Sequence, residues 1–125
     1  MSDLLRSLAV SASGMEAQAR RLRHSTENIA NTDTPGYRRK TTDFRLGPDG
    51  AVSPGPVRLD PSDLSRIHDP GHPLADESGH YLGSNVDMVV EVADAREAQR
   101  SYEANLRMFD QARQMTQGLI ELLRR

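Results

Sequence analysis

The sequence lacks cysteine and tryptophan altogether and has only two phenylalanines. Without cysteine, the chain can form neither a disulfide nor a zinc site built on thiolates. Only 36% of its 125 residues are hydrophobic, so one domain of this length has little material for a core. No long uncharged apolar run is present, and Asp3 and Arg6 interrupt the apolar start that a secretory signal would need. We expect a soluble chain with a thin core and no cleavable signal peptide.

All seven prolines lie between Pro35 and Pro73, so both ends of the chain are free of the strongest helix breaker. This distribution predicts a helix at each end and an irregular or β-containing segment between them. We place the N-terminal helix in residues 1–33, the central lobe in 34–85 and the C-terminal helix in 86–125.

Apolar and small residues recur at alternating intervals of three and four in both outer segments, which is typical of helices with one apolar stripe. The N-terminal stripe consists of Leu5, Leu8, Ala12, Met15, Ala19, Leu22, Thr26 and Ile29. The C-terminal stripe consists of Val92, Ala95, Tyr102, Leu106, Phe109, Thr116, Ile120 and Leu123, flanked by Ala98, Ala112, Met115 and Leu119. Isolated amphipathic helices are marginal in water, so both stripes need a partner. They form either the core of a self-contained helical hairpin or surfaces that other molecules complete.

The central segment predicts a hairpin and a corner. Residues 37–46 and 51–59 are expected to pair across a turn at Gly47-Pro48-Asp49-Gly50, and the prolines after Asp60 predict an irregular loop. Before the hairpin, Asn31 suits the left-handed conformation that ends helices, and Thr34-Pro35-Gly36 suits a tight turn. The amide of Asn28 could satisfy carbonyls at the helix end or on an adjoining chain.

Histidine and acidic residues cluster in the central segment, at His68, Asp69, His72, Asp76, Glu77 and His80. They could ligate a metal ion, but the intervening prolines prevent His68 and His72 from sharing a helical face. We favour a solvated turn over a metal site.

Two basic clusters, Arg20-Arg21-Leu22-Arg23-His24 and Tyr37-Arg38-Arg39-Lys40, could contact phosphates, with Tyr37 stacking on a base. We favour a solvated or partner-facing side of a helix. The sequence contains no nucleophile elbow and no phosphate-cradling glycine loop, so we expect no enzymatic activity.

Several short stretches point to a known family. They are Ser11-Ala12-Ser13-Gly14-Met15 with Ala17-Gln18, Asn28-Ile29-Ala30-Asn31-Thr32, Thr34-Pro35-Gly36-Tyr37, Ser84-Asn85-Val86-Asp87 and Glu97-Ala98-Gln99-Arg100-Ser101-Tyr102-Glu103-Ala104-Asn105. Together they resemble the motifs shared by the axial proteins of the bacterial flagellum. The short chain, with 69–73 and 76–79, resembles the proximal-rod subunits more than the longer distal-rod and hook subunits.

The resemblance implies a mainly α fold, in which long antiparallel terminal helices form a coiled-coil-like pair that packs as one unit, with a small β-hairpin or irregular lobe outside. It implies a structural subunit of the proximal rod that assembles through its terminal helices, transmits torque and lines the export channel. Another rod subunit of the family, a nucleic-acid-binding adaptor and a metal-binding protein are the alternatives. The expected assembly interface is Leu5, Leu8, Ala12, Met15, Ala19, Leu22, Ile29, Tyr102, Leu106, Phe109, Met115, Ile120 and Leu123.

The resemblance also implies a location and partners. The subunit would leave the cytoplasm through the flagellar type III export apparatus and assemble in the periplasm. Its partners would be copies of itself, other rod subunits, and basal-body proteins on the MS-ring and export-gate side and on the distal-rod side. Neither nucleic acid nor direct membrane insertion is expected, and no cofactor. Because both stripes stay wet in a lone subunit, we also expect frayed ends before assembly.

Overall fold

The computed structural model describes residues 2–125 and so leaves out Met1, the first residue of the predicted N-terminal segment. Two long helices, α1 (Ser2–Ala30) and α2 (Met88–Arg124), flank four short strands in the sequence. The strands are β1 (Lys40–Leu46), β2 (Val52–Leu59), β3 (Arg66–His68) and β4 (His80–Leu82). This confirms the predicted mainly α fold with a small lobe between terminal helices. Within residues 2–125, neither helix is both long and apolar enough to cross a membrane.

The two helices run antiparallel along each other. The side chain of Asn28 near the end of α1 bonds Glu91 near the start of α2, and Gly14 lies against Asn105 further along. Helix α2 has 37 residues and α1 has 29, so the C-terminal end of α2 extends past the start of α1. The last turns of α2 therefore have no cover from α1.

Small residues form the contact between the helices. The buried hydrophobic side chains in the described chain are three alanines, Ala17, Ala98 and Ala112. A Cβ atom at Gly14 would lie 2.8 Å from the Asn105 side chain, so the helices approach closely there. A core of alanine methyl groups removes little apolar area from water, and this agrees with the thin core expected from composition.

The N-terminal stripe lies beside the closest contact with α2 and not within it. The buried α1 residues include Ser11, Gly14, Ser25 and Asn28, and each directly precedes a stripe residue. One residue along a helix is a rotation of about 100°, so the stripe is turned to one side of this buried face. Its large apolar side chains are not fully covered, since Leu5 is 56% exposed and Leu8, Met15, Leu22 and Ile29 are half-buried. The interpretation of the stripes as the core of a self-contained hairpin is therefore not supported for α1.

Strands β1 and β2 form the predicted antiparallel hairpin, which lies along α1. Its register pairs Lys40 with Leu59 and Leu46 with Val52, with an irregularity between Thr42 and Phe44. At the turn end, the Val52 N–H donates to Ser13 Oγ at 3.0 Å, and this bond attaches the hairpin to the middle of α1. Pro54 and Pro56 lie within β2, and proline is tolerated in a strand of this kind because the sheet has only two strands and β2 is an edge.

A second, smaller antiparallel hairpin occupies the region where we expected an irregular loop. It pairs Arg66 with Leu82 and His68 with His80, in strands of three residues each. Of the prolines expected to prevent regular structure, Pro61 precedes β3, and Pro70 and Pro73 lie in the connection, so the two strands are free to pair. The expectation of an irregular loop holds for this connection and for residues 60–65 before β3.

Candidate functional site: a polar corner and an open apolar groove

The chain reverses after α1 through the predicted turn. Pro35 and Gly36 occupy its two central positions, the Tyr37 N–H donates to the Thr34 carbonyl at 3.2 Å, and Gly36 has a φ of +75°. Proline followed by a glycine of positive φ is typical of a type II turn. The Gly36 N–H reaches the carbonyls of Leu82 and Gly83 at 3.2 and 3.1 Å, which fixes the turn to the second hairpin.

The expected left-handed conformation of Asn31 is wrong. Within residues 2–125, positive φ values occur only at glycines. Asn31 instead ends α1 with its side chain, since its Nδ2 donates to the Glu27 carbonyl at 2.9 Å. An asparagine amide can satisfy a carbonyl at a helix end directly, so no left-handed residue is required there.

Asn28 is 1% exposed. Its side-chain amide pairs with the backbone N–H and carbonyl of Lys40, the first residue of β1, as a neighbouring strand would. Its Oδ1 accepts from the Lys40 N–H at 2.9 Å, and its Nδ2 donates to the Lys40 carbonyl at 3.0 Å. The Tyr37 hydroxyl also donates to Oδ1 at 2.7 Å. The amide was expected to serve the helix end or an adjoining chain, whereas it joins α1 to the lobe within the same chain.

Asn85 binds the opposite side of the same segment. Its Oδ1 accepts from the Arg39 N–H at 2.6 Å, and its Nδ2 donates to the Asp60 carbonyl at 3.0 Å. Two residues later, Asp87 caps α2, because its carboxylate accepts from the Val89 N–H at 3.0 Å. Asn85 and Asp87 therefore fix both the end of the lobe and the start of α2.

Glu91 and Arg39 form a buried ion pair between α2 and the lobe. The side chain of Glu91 is completely buried, and its Oε1 accepts from Arg39 Nε and from Asn28 Nδ2. Arg39 also donates to Asp94 Oδ2 at 2.7 Å and lies 3.9 Å from Asp60. Burial opposes the charged guanidinium, but the hydrogen bond and charge of Glu91, together with the other two carboxylates, outweigh it and raise the pKa of Arg39.

We call Asn28, Tyr37, Arg39, Asn85, Glu91 and Asp94 the corner network. It joins the end of α1, the start of β1 and the start of α2 through direct bonds between neutral amides and paired charges. The sequence predicted Asn28, Tyr37 and Asn85 as family-motif residues but missed Glu91. One signal could have found it, because Glu91, Ala98, Asn105 and Ala112 are spaced by seven residues along α2.

The two basic clusters do not form a free basic surface, because several of their side chains are paired within the chain. Lys40 Nζ lies 2.5 Å from Glu27 Oε1, and Arg21 lies 3.3 Å from Asp94 and from Glu97. The hydrogen bond from Lys40 lowers the pKa of Glu27. Arg38 donates to the backbone of the lobe. The structure therefore does not favour a nucleic-acid interface here.

The histidine and acidic cluster is engaged in local contacts of the second hairpin. His72 stacks on Tyr81 with ring centroids 3.9 Å apart, and Asp76 Oδ1 accepts from the N–H groups of Ser78 and His80. No group of three or more histidine or acidic residues within residues 2–125 is arranged to hold a metal ion.

An open groove runs between α1 and α2. It has a volume of about 700 Å³ and is lined mainly by apolar groups. Its lining residues are Ala19, Leu22, Arg23, Thr26, Glu27, Ala30, Gln99 and Tyr102. Three N-terminal stripe residues and one C-terminal stripe residue thus line a single groove. A second apolar surface includes Met88, Val89 and Val92 at the start of α2.

The other predicted residues divide between the corner and the helix surfaces. Asn105 lies in the contact between the helices, whereas Thr34, Pro35 and Arg100 are exposed. Leu8, Met15, Ile29, Val86 and Phe109 are half-buried. Substantially exposed are Leu5, Ala12, Leu106, Met115, Ile120 and Leu123. The large apolar residues of the predicted interface are thus mostly available to other molecules.

Substitution of Glu91 tests the corner network. Glu91→Ala is expected to lower the free energy of unfolding by about 3 kcal/mol, because it leaves the Arg39 charge and the Asn28 amide short of a partner in a buried site. Chemical denaturation followed by circular dichroism measures this. The matched control is Asp110→Ala, which removes a half-exposed ion pair with Arg113 at 4.0 Å and should change the free energy by less than about 0.5 kcal/mol. Equal losses in the two variants would contradict a stabilising role for the corner network.

Comparison with known proteins identifies the family of this chain. Residues 8–38 match the model of the flagella basal body rod protein family, and residues 77–122 match that of the flagellar basal body rod FlgEFG protein C-terminal region. The flagellar basal-body rod protein FlgC of Agrobacterium fabrum is 40% identical, with 99% of this chain and 98% of the relative covered. FlgC of Aquifex aeolicus is 32% identical over 97% and 98%, and FlgC of Yersinia enterocolitica is 32% identical over 86% and 89%. The chain belongs to the FlgC family of flagellar basal-body rod proteins.

Proposed function

We propose that this structural subunit of the basal-body rod assembles by covering its open groove and stripes with the helices of neighbouring subunits. The proposed place is the proximal rod, where the subunit transmits torque and lines the export channel. The observation that supports it is the arrangement of the helix pair, which uses small residues for its internal contact and leaves large apolar residues outside.

The exposed apolar area is large for so small a chain. Tyr102 is 38% exposed and Leu106 40%, while Leu123 near the uncovered end of α2 is 80% exposed. Covering apolar surface contributes about 25 cal/mol per Å². Contiguous apolar patches on a soluble protein usually mark an interaction site. The groove and the stripes are therefore the surfaces most suited to contacts between subunits.

The corner network suits the transmission of torque. A subunit that carries torque has to resist bending between its helices and its lobe, and directional hydrogen bonds resist such bending better than apolar contacts do. The bonds of Asn28 to Lys40 and of Arg39 to Glu91 and Asp94 fix this angle. We propose that residues 1–33 and 86–125 act as one axial unit in the rod and that residues 34–85 form a separate outer lobe.

The same proposal sets the surroundings of the subunit. It is exported through the flagellar type III apparatus and assembles in the periplasm. Its partners are copies of itself, other rod subunits and the neighbouring basal-body proteins on the MS-ring and export-gate side and the distal-rod side. We assign it no enzymatic role, no nucleic-acid partner and no insertion into the membrane.

Hydrogen exchange tests whether the helices depend on assembly. In the isolated subunit we expect rapid exchange across Leu8–Leu22 and Tyr102–Ile120, because the alanine core between the helices stabilises them little. Amides near Asn28 and Glu91 should exchange more slowly, since the corner network holds that end of the pair. Slow exchange throughout both ranges in the monomer would contradict the idea that neighbours complete these surfaces.

Charged substitutions test the proposed assembly surface. Leu22→Asp and Leu106→Asp are expected to weaken incorporation into rods by tenfold or more, because burying an unpaired carboxylate costs at least about 2 kcal/mol. The measurement is the amount of each variant in purified basal bodies from cells that lack the natural copy, together with swimming in soft agar.

The matched control is Leu74→Asp, which changes a leucine of the lobe that is 62% exposed, more than Leu106. It should leave incorporation nearly unchanged if the groove, and not apolar exposure in general, forms the contact. Secretion of each variant into the medium separates a failure of export from a failure of assembly. Normal swimming by cells that carry Leu22→Asp or Leu106→Asp would reject the proposed surface.

A further inference from the structure

A second cleft, of about 630 Å³, lies between α1, β1 and α2, and it holds an unusual set of buried polar atoms. His24, Thr42 and Glu91 are among its lining residues. Both ring nitrogens of His24, the hydroxyl of Thr42 and Oε2 of Glu91 are buried without a hydrogen-bond partner in the described chain. Buried polar groups normally have partners, so this concentration in one cleft requires an explanation.

The charged groups around His24 are already paired with one another. On its own helix, Arg21 is paired with Asp94 and Glu97, while Arg20 and Arg23 add positive charge nearby. Glu27, the acidic group that favours a charged His24, is bound by Lys40 of β1 at 2.5 Å. Glu91 and Asp94 of α2 are bound by Arg39, and Asp43 of β1 is bound by Arg58 at 3.3 Å. The carboxylates facing the cleft thus all have basic partners already, and none bonds a ring nitrogen of His24, although Oε2 of Glu91 is itself without a hydrogen-bond partner.

We propose that His24 makes the contact between α1 and the β1–β2 hairpin sensitive to acid. A neutral imidazole fits the cleft, whereas an imidazolium would place a new positive charge beside Lys40, Arg20 and Arg23 with both N–H groups buried and unpaired. When the hairpin separates from α1, water reaches the ring, and this removes the free-energy cost of protonating His24. At this end, α1 is still joined to the lobe by the corner network, in which Asn28 bonds Lys40.

The direction of the pH effect follows from the physical cause. Burial lowers the pKa of His24 below 6.5, and the positive charges of Lys40, Arg20 and Arg23 act in the same direction, while Glu27 opposes them. A histidine with a lowered folded pKa leaves the closed state at full stability above about pH 6.5. Stability then falls as the pH decreases from 6.5 to the folded pKa, by up to about tenfold in the ratio of open to closed molecules per pH unit.

The pH range in which His24 lowers the stability lies above the range in which the carboxylates do so. The hydrogen bonds of Lys40 and of Ser62 lower the pKa values of Glu27 and Asp60, respectively, below their ordinary values of 4.5 and 3.8. Their contribution is present above those ordinary values and is lost only as the pH falls further. A loss of stability that begins near pH 6.5 therefore has a histidine as its source.

The test compares the full-length chain with His24→Gln, which keeps a neutral polar group at the site. Unfolding by urea is measured from pH 5 to pH 8. The natural chain should lose stability below pH 6.5. For each pH unit of acidification, the unfolding equilibrium constant of His24→Gln should rise by up to about tenfold less than that of the natural chain. His68→Gln, in exposed strand β3, is the control and should keep the natural pH dependence. Equal pH dependence in the natural chain and His24→Gln would overturn the proposal.

Two measurements on the unsubstituted chain remain decisive if His24→Gln does not fold. Nuclear magnetic resonance titration should give His24 a pKa below 6.5, and a value at or above 6.5 would overturn the proposal. Hydrogen exchange, corrected for intrinsic rates, should show that β1 amides lose protection between pH 7 and pH 5 before those of β3 and β4. Simultaneous loss in all strands would equally overturn it.

Discussion

The buried contact between Arg39 and Glu91 is the constraint on which the rest of the structure depends. Arg39 directly precedes β1, Glu91 lies in the first turn of α2, and Asn28, which also bonds Glu91, lies in the last turn of α1. Burying an ion pair is costly unless the remaining donors and acceptors are satisfied. Asp94 and Asn28 supply much of that satisfaction here. Because the apolar core is limited to three alanines, these polar contacts carry most of the information about how helix and lobe are oriented.

The choice of small residues between the helices determines what remains for the outside. Gly14 and Ala17 allow α2 to approach closely, and the larger Met15 and Gln18, one position further along, lie beside this contact and are half-buried. A helix pair built the other way, with leucines inside, would be more stable alone and would have less apolar surface to offer to neighbours. The weak internal contact and the apolar exterior are therefore two consequences of one arrangement.

The sequence was sufficient to predict both helices and the first hairpin, but not which face of a helix packs against the other helix. Helix periodicity, the confinement of prolines and the turn residues predicted both helices, the first hairpin and the turn at Pro35 and Gly36. The same periodicity could not tell which stripe lies in the contact with α2, because Ser11, Gly14 and Asn28 recur with the same spacing as Ala12, Met15 and Ile29 one position later. An apolar scale ranks methionine and isoleucine above glycine and asparagine, so it selects the stripe beside the contact.

Two further features could not be predicted for similar physical reasons. Strands β3 and β4 have three residues each, too few to show an alternating pattern, and a long connection separates them. Glu91 looks like a solvated helix residue, because its burial depends on Arg39, which is distant in sequence and reaches it only after the chain has turned. Polar partners that meet through tertiary structure leave no local signal.

The division between polar and apolar contacts also suits a subunit with several different neighbours. Within the chain, the bonds of Asn28 and Arg39 are directional and accept one geometry only. Between chains, an apolar groove is non-directional and adapts to helices of differing sequence, provided their volume fits. If the subunit contacts both its own kind and other rod proteins, as proposed, it needs a fixed internal shape and a tolerant exterior. The corner network and the open groove supply these two properties with different chemistry, so a change in one can leave the other intact.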